Sequence, residues 1–184
     1  GSPFVNVASS LPVTVTIESQ DYPEHYVIAG PKVKKHSEVQ LSTECNGDAA
    51  CWVIEAVEDD AGLCTIRNVA SSYYLNVAGG SNQDYALVNT WYKSDRYGLW
   101  SLLDAPNGLV KFRTIFSTKY LCTSECDNKL CQVGCEDPSL WRLHQPRNRS
   151  VCHIRADIDP CPGRMQAQVL KYEDQSLIAL CFDS

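Results

Sequence analysis

Apolar and polar residues alternate along most of this chain in short runs, and turn-forming residues separate the runs. VTVTIES (13–19), CTIRNV (64–69), YALVNTW (85–91) and VKFRTI (110–115) show the period of two expected of a strand with one buried face. No stretch of ten residues or more carries a convincing helical period, and Pro and Gly fall mainly between the runs. The pattern predicts an all-β chain with a turn roughly every ten residues.

The runs also repeat. Trp52, Trp100 and Trp141 each close a similar phrase, and each is preceded by a Tyr (Tyr26, Tyr74, Tyr120) at the head of another: YVIAG, YLNVAG and YLCTSE. A strand-like run stands before each Tyr, and another lies between Tyr and Trp: EVQLSTE, YALVNTW and KLCQVGC. Units of about 45 residues with four short strands each therefore cover residues 12–146. Closing a sheet removes the exposed edges that invite aggregation. Three blades are too few for a propeller, and twelve strands in three fours predict a β-trefoil, a six-stranded barrel capped by three hairpins. The recurring Trp is then the core residue that each unit supplies where barrel meets cap.

Residues 147–184 do not fit the repeat. They are read as a C-terminal β extension packed on the trefoil domain of residues 3–146, with strands near 151–157, 165–172 and 176–182 and a strong turn at DPCPG (159–163). So short a segment cannot bury a core of its own without a covalent tie.

Composition narrows the function classes. Apolar residues make up 44%, enough for a real core, and the net charge of −6 argues against a nucleic-acid or anionic-membrane surface. The basic cluster Lys32, Lys34, Lys35 and His36 is short and reads as a solvated loop. No apolar run approaches the roughly 20 residues of a membrane helix. Ten Cys, an even and high count, suggest the mature part of a secreted protein, and the sequon Asn148-Arg149-Ser150 offers a glycosylation site on that route. A monomer is expected.

The cysteines are read as disulfides. If CDNKLC is a hairpin turn, Cys126 faces Cys131 and Cys122 faces Cys135, giving two nested bridges. A four-Cys zinc site is the rival, but the spacing departs from paired Cys-x2-Cys knuckles. Cys45 and Cys51 bracket NGDAA and are expected to pair with each other; Cys64, Cys152, Cys161 and Cys181 remain, with three possible connectivities. No metal or cofactor is expected.

The phrases EVQLSTECNGDAACWVI and IRNVASSYYLNVAGGSNQDYALVNTWYKSDRYGLWSLL resemble units of ricin-B-type β-trefoils, above all in IRNV-xS-xYL-x-V and the terminal LW-x-L. That family's Cys pair would correspond to Cys122 and Cys135. The resemblance implies sugar binding in shallow pockets, where a short carboxylate or amide takes two hydroxyls and an aromatic ring stacks on the apolar sugar face. The family's Gln-x-Trp motif is degenerate here, with Ala50, Gly98 and Ser139 at the Gln position. At most one pocket survives, in the second unit, with Asn76, Asn89, Trp91 and Asp95 as the candidate set.

A second reading is a protease inhibitor, in which a rigid barrel holds an extended loop in a protease cleft. AGPKVKKHSE (29–38) would present Lys34 and Lys35 to a trypsin-like pocket, and GGSNQDY (79–85) is the other candidate loop. A third is a secreted effector that uses the barrel as a scaffold for a protein partner such as a receptor. No catalytic activity is expected: His25, His36, His144 and His153 lie in no recognisable motif, and the acid pairs Asp59-Asp60 and Glu136-Asp137 are read as solvated.

Overall fold

A computed structural model describes residues 11–58 and 62–146, and the backbone of strands 165–172 and 175–182. The first twelve strands are β1 (Val13–Ser19), β2 (Tyr26–Ala29), β3 (His36–Ser42), β4 (Trp52–Ala56), β5 (Cys64–Asn68), β6 (Tyr74–Val77), β7 (Val88–Trp91), β8 (Trp100–Asp104), β9 (Val110–Thr114), β10 (Tyr120–Thr123), β11 (Leu130–Val133) and β12 (Trp141–His144). No α-helix occurs among the described residues.

The pairings give the architecture. β1 pairs β4, β4 pairs β5, β5 pairs β8, β8 pairs β9, β9 pairs β12 and β12 returns to β1, so six strands close a barrel. The other six form the hairpins β2–β3, β6–β7 and β10–β11. Each hairpin hangs from the barrel at one equivalent pair, Glu18–Tyr26, Arg67–Tyr74 and Arg113–Tyr120. This is the β-trefoil, and the Tyr at the head of each repeat is where hairpin leaves barrel.

The hairpins then pair with one another in a ring. Glu38 on β3 stands opposite Asn89 on β7, Leu87 bridges Cys131, and Lys129 bridges Gln40. Within each hairpin, Val39, Val88 and Leu130 hold one place, opposite Ala29, Val77 and Thr123, and Glu38, Leu87 and Lys129 precede them. The cap thus ends in three equivalent positions that carry an acid, an apolar residue and a base.

Trp52, Trp100 and Trp141 are fully buried in one cluster with Ile17, Ile54, Ile66, Leu75, Phe112, Leu121 and Leu130. Each indole Nε1 donates to the carbonyl of the residue after its repeat's Tyr: Val27 at 2.9 Å, Leu75 at 3.0 Å and Leu121 at 3.1 Å. A buried indole needs such a partner. Ser19, Asn68 and Thr114 are likewise equivalent and buried, and each side chain accepts the backbone N–H three residues on, capping the turn into the hairpin.

Two expectations are corrected. β7 starts at Val88 instead of 85, because Tyr85 takes a left-handed φ of 64°, which breaks the extended backbone of a strand. The β10–β11 register places Cys122 opposite Cys131, so Cys126 does not face Cys131, nor does Cys122 face Cys135 across the ladder. The turn lies two residues earlier than the spacing suggested: Ser124 N donates to Lys129 O, while Ser124 Oγ and Asp127 Oδ1 accept the N–H groups of Cys126 and Lys129. Cys135, beyond β11, nevertheless touches the Cys122 thiol.

Contacts divide the chain into Gly1–Pro146 and Arg147–Ser184. In the second unit β13 (Met165–Tyr172) and β14 (Gln175–Phe182) form an antiparallel pair. The strand expected near 151–157, the turn at 159–163, Asn148, Cys152 and Cys161 lie outside the described residues, as does the side chain of Cys181.

Candidate functional site

Alternation on β6, β7 and β3 sorts the second-repeat residues by face. Leu75, Thr90 and Ser37 point inward, where Ser37 Oγ and Thr90 Oγ1 hydrogen-bond across the strands. The outward face then carries two rows. Tyr74, Trp91 and His36 lie in one, and Asn76, Asn89 and Glu38 in the next. Three of the four candidate residues, Asn76, Asn89 and Trp91, therefore share a surface.

Asp95 does not join them. It caps the short 3-10 turn Arg96–Gly98, its Oδ1 accepting Tyr97 N at 3.0 Å. That turn folds back on β6. A Cβ on Gly98, the Gln position of the motif, would stand 3.2 Å from Leu75 O and 3.8 Å from Asn76 Cβ. Asn76 is consequently only 5% exposed. Trp91 is half-buried and meets the Tyr92 ring edge-on at 5.3 Å.

Asn89 has a distinct environment. Its Oδ1 is the one buried side-chain polar atom among the described residues without a hydrogen-bond partner. Leaving such an acceptor unmatched costs about 1–3 kcal/mol, and a native structure rarely tolerates it without cause. Asn89 lines a notch of about 180 Å³ with His36, Glu38, Leu87 and Lys129 around a floor of Val39 and Val88. The notch draws on all three repeats and sits where the hairpin ring closes. Glu38 is exposed and Lys129 half-buried, so carboxylate and ammonium flank one opening. Ligand pockets usually span about 300–1,000 Å³, so this notch fits one ring or substituent, with the rest of a ligand lying on the rows beside it.

His36, Glu38 and Lys129 escaped the repeat-by-repeat reading because they come from the first and third units. Superposing the three hairpins would have exposed Glu38, Leu87 and Lys129 as one broken set of equivalents.

Lys34 and Lys35 form the tip of a tight turn. Val33 and His36 exchange backbone hydrogen bonds at 2.8 and 3.2 Å, and Lys34 has φ 57°. Tyr73 Oη donates to Lys34 O at 2.9 Å. This is not the extended segment that an inhibitory loop needs, and the Lys34 carbonyl is already engaged. Burial pushes the Cys64 thiol up to about 12 and the Cys131 thiol up to about 11. Neither is a thiolate at neutral pH, so neither is poised as a nucleophile.

Residues 3–91 match the family model "Ricin-type beta-trefoil lectin domain-like". Glypican-1 of Gallus gallus is 28% identical over 131 residues, covering 70% of this chain and 23% of that protein. The chain thus spans about a quarter of that relative's length. Among solved structures, the designed threefold-symmetric protein ThreeFoil superposes with a TM-score of 0.62 at 21% identity, over 71% of this chain and 96% of its own. A Polyporus squamosus lectin bound to a human-type influenza-binding epitope, Neu5Aca2-6Galb1-4GlcNAc, gives 0.64 at 14% identity, over 73% of this chain and 49% of its own.

Proposed function

Starting from a β-trefoil of the ricin type, we propose that the outward face of β3, β6 and β7 binds a saccharide without catalysing its conversion. A sugar has an apolar face and a rim of hydroxyls. Here the Trp91 ring offers an apolar platform, and the Asn89 amide and Glu38 carboxylate lie side by side in the neighbouring row. The observation that carries the reading is the unmatched, buried Asn89 Oδ1 at the wall of the notch. Once the amide turns toward the notch, a sugar hydroxyl could donate to it and recover the desolvation cost. Asn76 backs Asn89 from the adjacent strand, and Asp95 acts by holding the 96–98 turn in place. The match over residues 3–91, and the saccharide bound by the Polyporus lectin, point the same way.

We further propose that the protein is secreted, a trefoil followed by a small β unit; its ten cysteines support this reading. The turn geometry of Lys34 and Lys35 gives the inhibitor reading no support.

A glycan array followed by calorimetric titration of the hits tests the proposal. Glu38→Gln, at an exposed position, should weaken a hit about tenfold with the melting temperature unchanged. Trp91→Ala should weaken it further. Absence of any glycan ligand, or full affinity in both variants, would overturn the reading.

A further inference from the structure

One corner of the proposed sugar face is strongly basic, although the chain as a whole carries a net charge of −6. Lys32, Lys34 and Lys35 come from the turn after β2, and Lys93 from the segment after β7. The fold pins these two pieces together: Tyr92 N donates to Lys35 O at 2.8 Å, and Tyr73 Oη to Lys34 O. The ammonium groups then settle on aromatic rings. Lys32 Nζ lies 4.8 Å from the Tyr73 centroid, while Lys35 and Lys93 share Tyr92 at 5.2 and 5.7 Å. Tyr92 in turn abuts Trp91.

All four lysines are exposed, and none takes part in either ion pair found among the described residues. The nearest acids in sequence are engaged elsewhere or lie across the sugar face: Asp95 caps its own turn, and Glu38 stands two residues beyond His36 on the far side of the Trp91 row. Like charges gathered on shared rings repel one another, and a bound anion removes that repulsion.

We infer that this corner binds the sulfate groups of a sulfated saccharide whose ring lies on Trp91. The inference rests on the saccharide reading above and adds the ligand's charge. Lysines suit this class as compact point charges with three rotatable donors, which can follow sulfates scattered along a saccharide. The patch is also confined to one corner, short of the extended basic track that a nucleic-acid backbone requires.

The test titrates the full chain with a heparin-derived hexasaccharide, its desulfated counterpart, a hyaluronan hexasaccharide and a single-stranded oligonucleotide. The comparison variant carries Lys32→Gln, Lys35→Gln, Lys93→Gln and Lys34→Asn, the last because Asn accepts the left-handed φ of 57° there. Removing four exposed charge contacts should weaken binding of the sulfated probe about tenfold. That loss, together with weakening at raised salt, unchanged melting and preference over the desulfated and carboxylate-only probes, supports the inference. Equal binding by wild type and variant, equal affinity for the desulfated or hyaluronan probe, or oligonucleotide binding as tight as the sulfated probe overturns it. A desulfated ligand that depends on Trp91 but not on the lysines leaves the saccharide reading standing alone; a sulfated probe that depends on the lysines but not on Trp91 removes the stacking reading instead.

Discussion

Each indole at the barrel–cap junction does two jobs that can be separated by substitution. Trp100 fills core volume, and its Nε1 donates to Leu75 O within the buried core. Trp100→Ala gives up both and should cost about 3–5 kcal/mol. Trp100→Phe keeps most of the volume but leaves Leu75 O unmatched, so it should cost about 2 kcal/mol from the bond and the residual gap together. Urea unfolding checks this through a lower midpoint at unchanged slope; a Phe variant with the wild-type midpoint would show that the bond contributes nothing. The three Trp were legible as core from their recurrence behind Tyr26, Tyr74 and Tyr120. Their acceptors were not, because a main-chain carbonyl has no residue-type signature. Asn89 shows the same limit: its place in the candidate set came from the repeat, but its unmatched oxygen exists only once β3 of another unit closes against β7.

Between elements, the segment joining β7 to β8 decides how open the second repeat is. Gly98 packs on Leu75 O and Asn76, and Gly80 stands against the Tyr97 ring, where an added Cβ would come within 2.6 Å. Gly80 also has φ 62°, so any side chain there is both strained and crowded. Placing the Gln of the Gln-x-Trp motif at this position by Gly98→Gln should therefore not create a sugar pocket. It should cost about 1–3 kcal/mol by overpacking the 96–98 turn on β6, with glycan affinity no higher than wild type; a gain in affinity without loss of stability would refute that packing account. The alternation of VTVTIES and VKFRTI marked β1 and β9 almost to the residue, since one face of each strand meets the barrel core. The Cys122–Cys131 register was missed because Ser124 and Asp127 bind nearby N–H groups and draw the turn toward themselves, an effect that cysteine spacing does not encode.

At the scale of the whole molecule, closure depends on the first barrel strand meeting the last. Glu18 on β1 sits at that seam, its Oε1 2.7 Å from His144 Nε2 on β12 and its Oε2 accepting Glu24 N at 2.8 Å from the turn into β2. Burial pushes the Glu18 carboxyl up, but the His144 and Glu24 hydrogen bonds and the nearby Arg142 outweigh burial and hold it below its ordinary value of 4.5. A carboxyl with a lowered folded-state value contributes stability that is fully present above 4.5 and is lost as the pH falls through that lower value. Glu18→Gln should accordingly unfold at lower urea than wild type at pH 7, and the two midpoints should converge as the solution is taken below pH 4. A gap that stayed constant down to pH 2 would mean that Glu18 acts through shape alone. The sequence could place β1 and β12 at opposite ends of a threefold repeat and so predict that they meet. Which charged side chains face each other there depends on register, and register is settled by how all six barrel strands stagger at once.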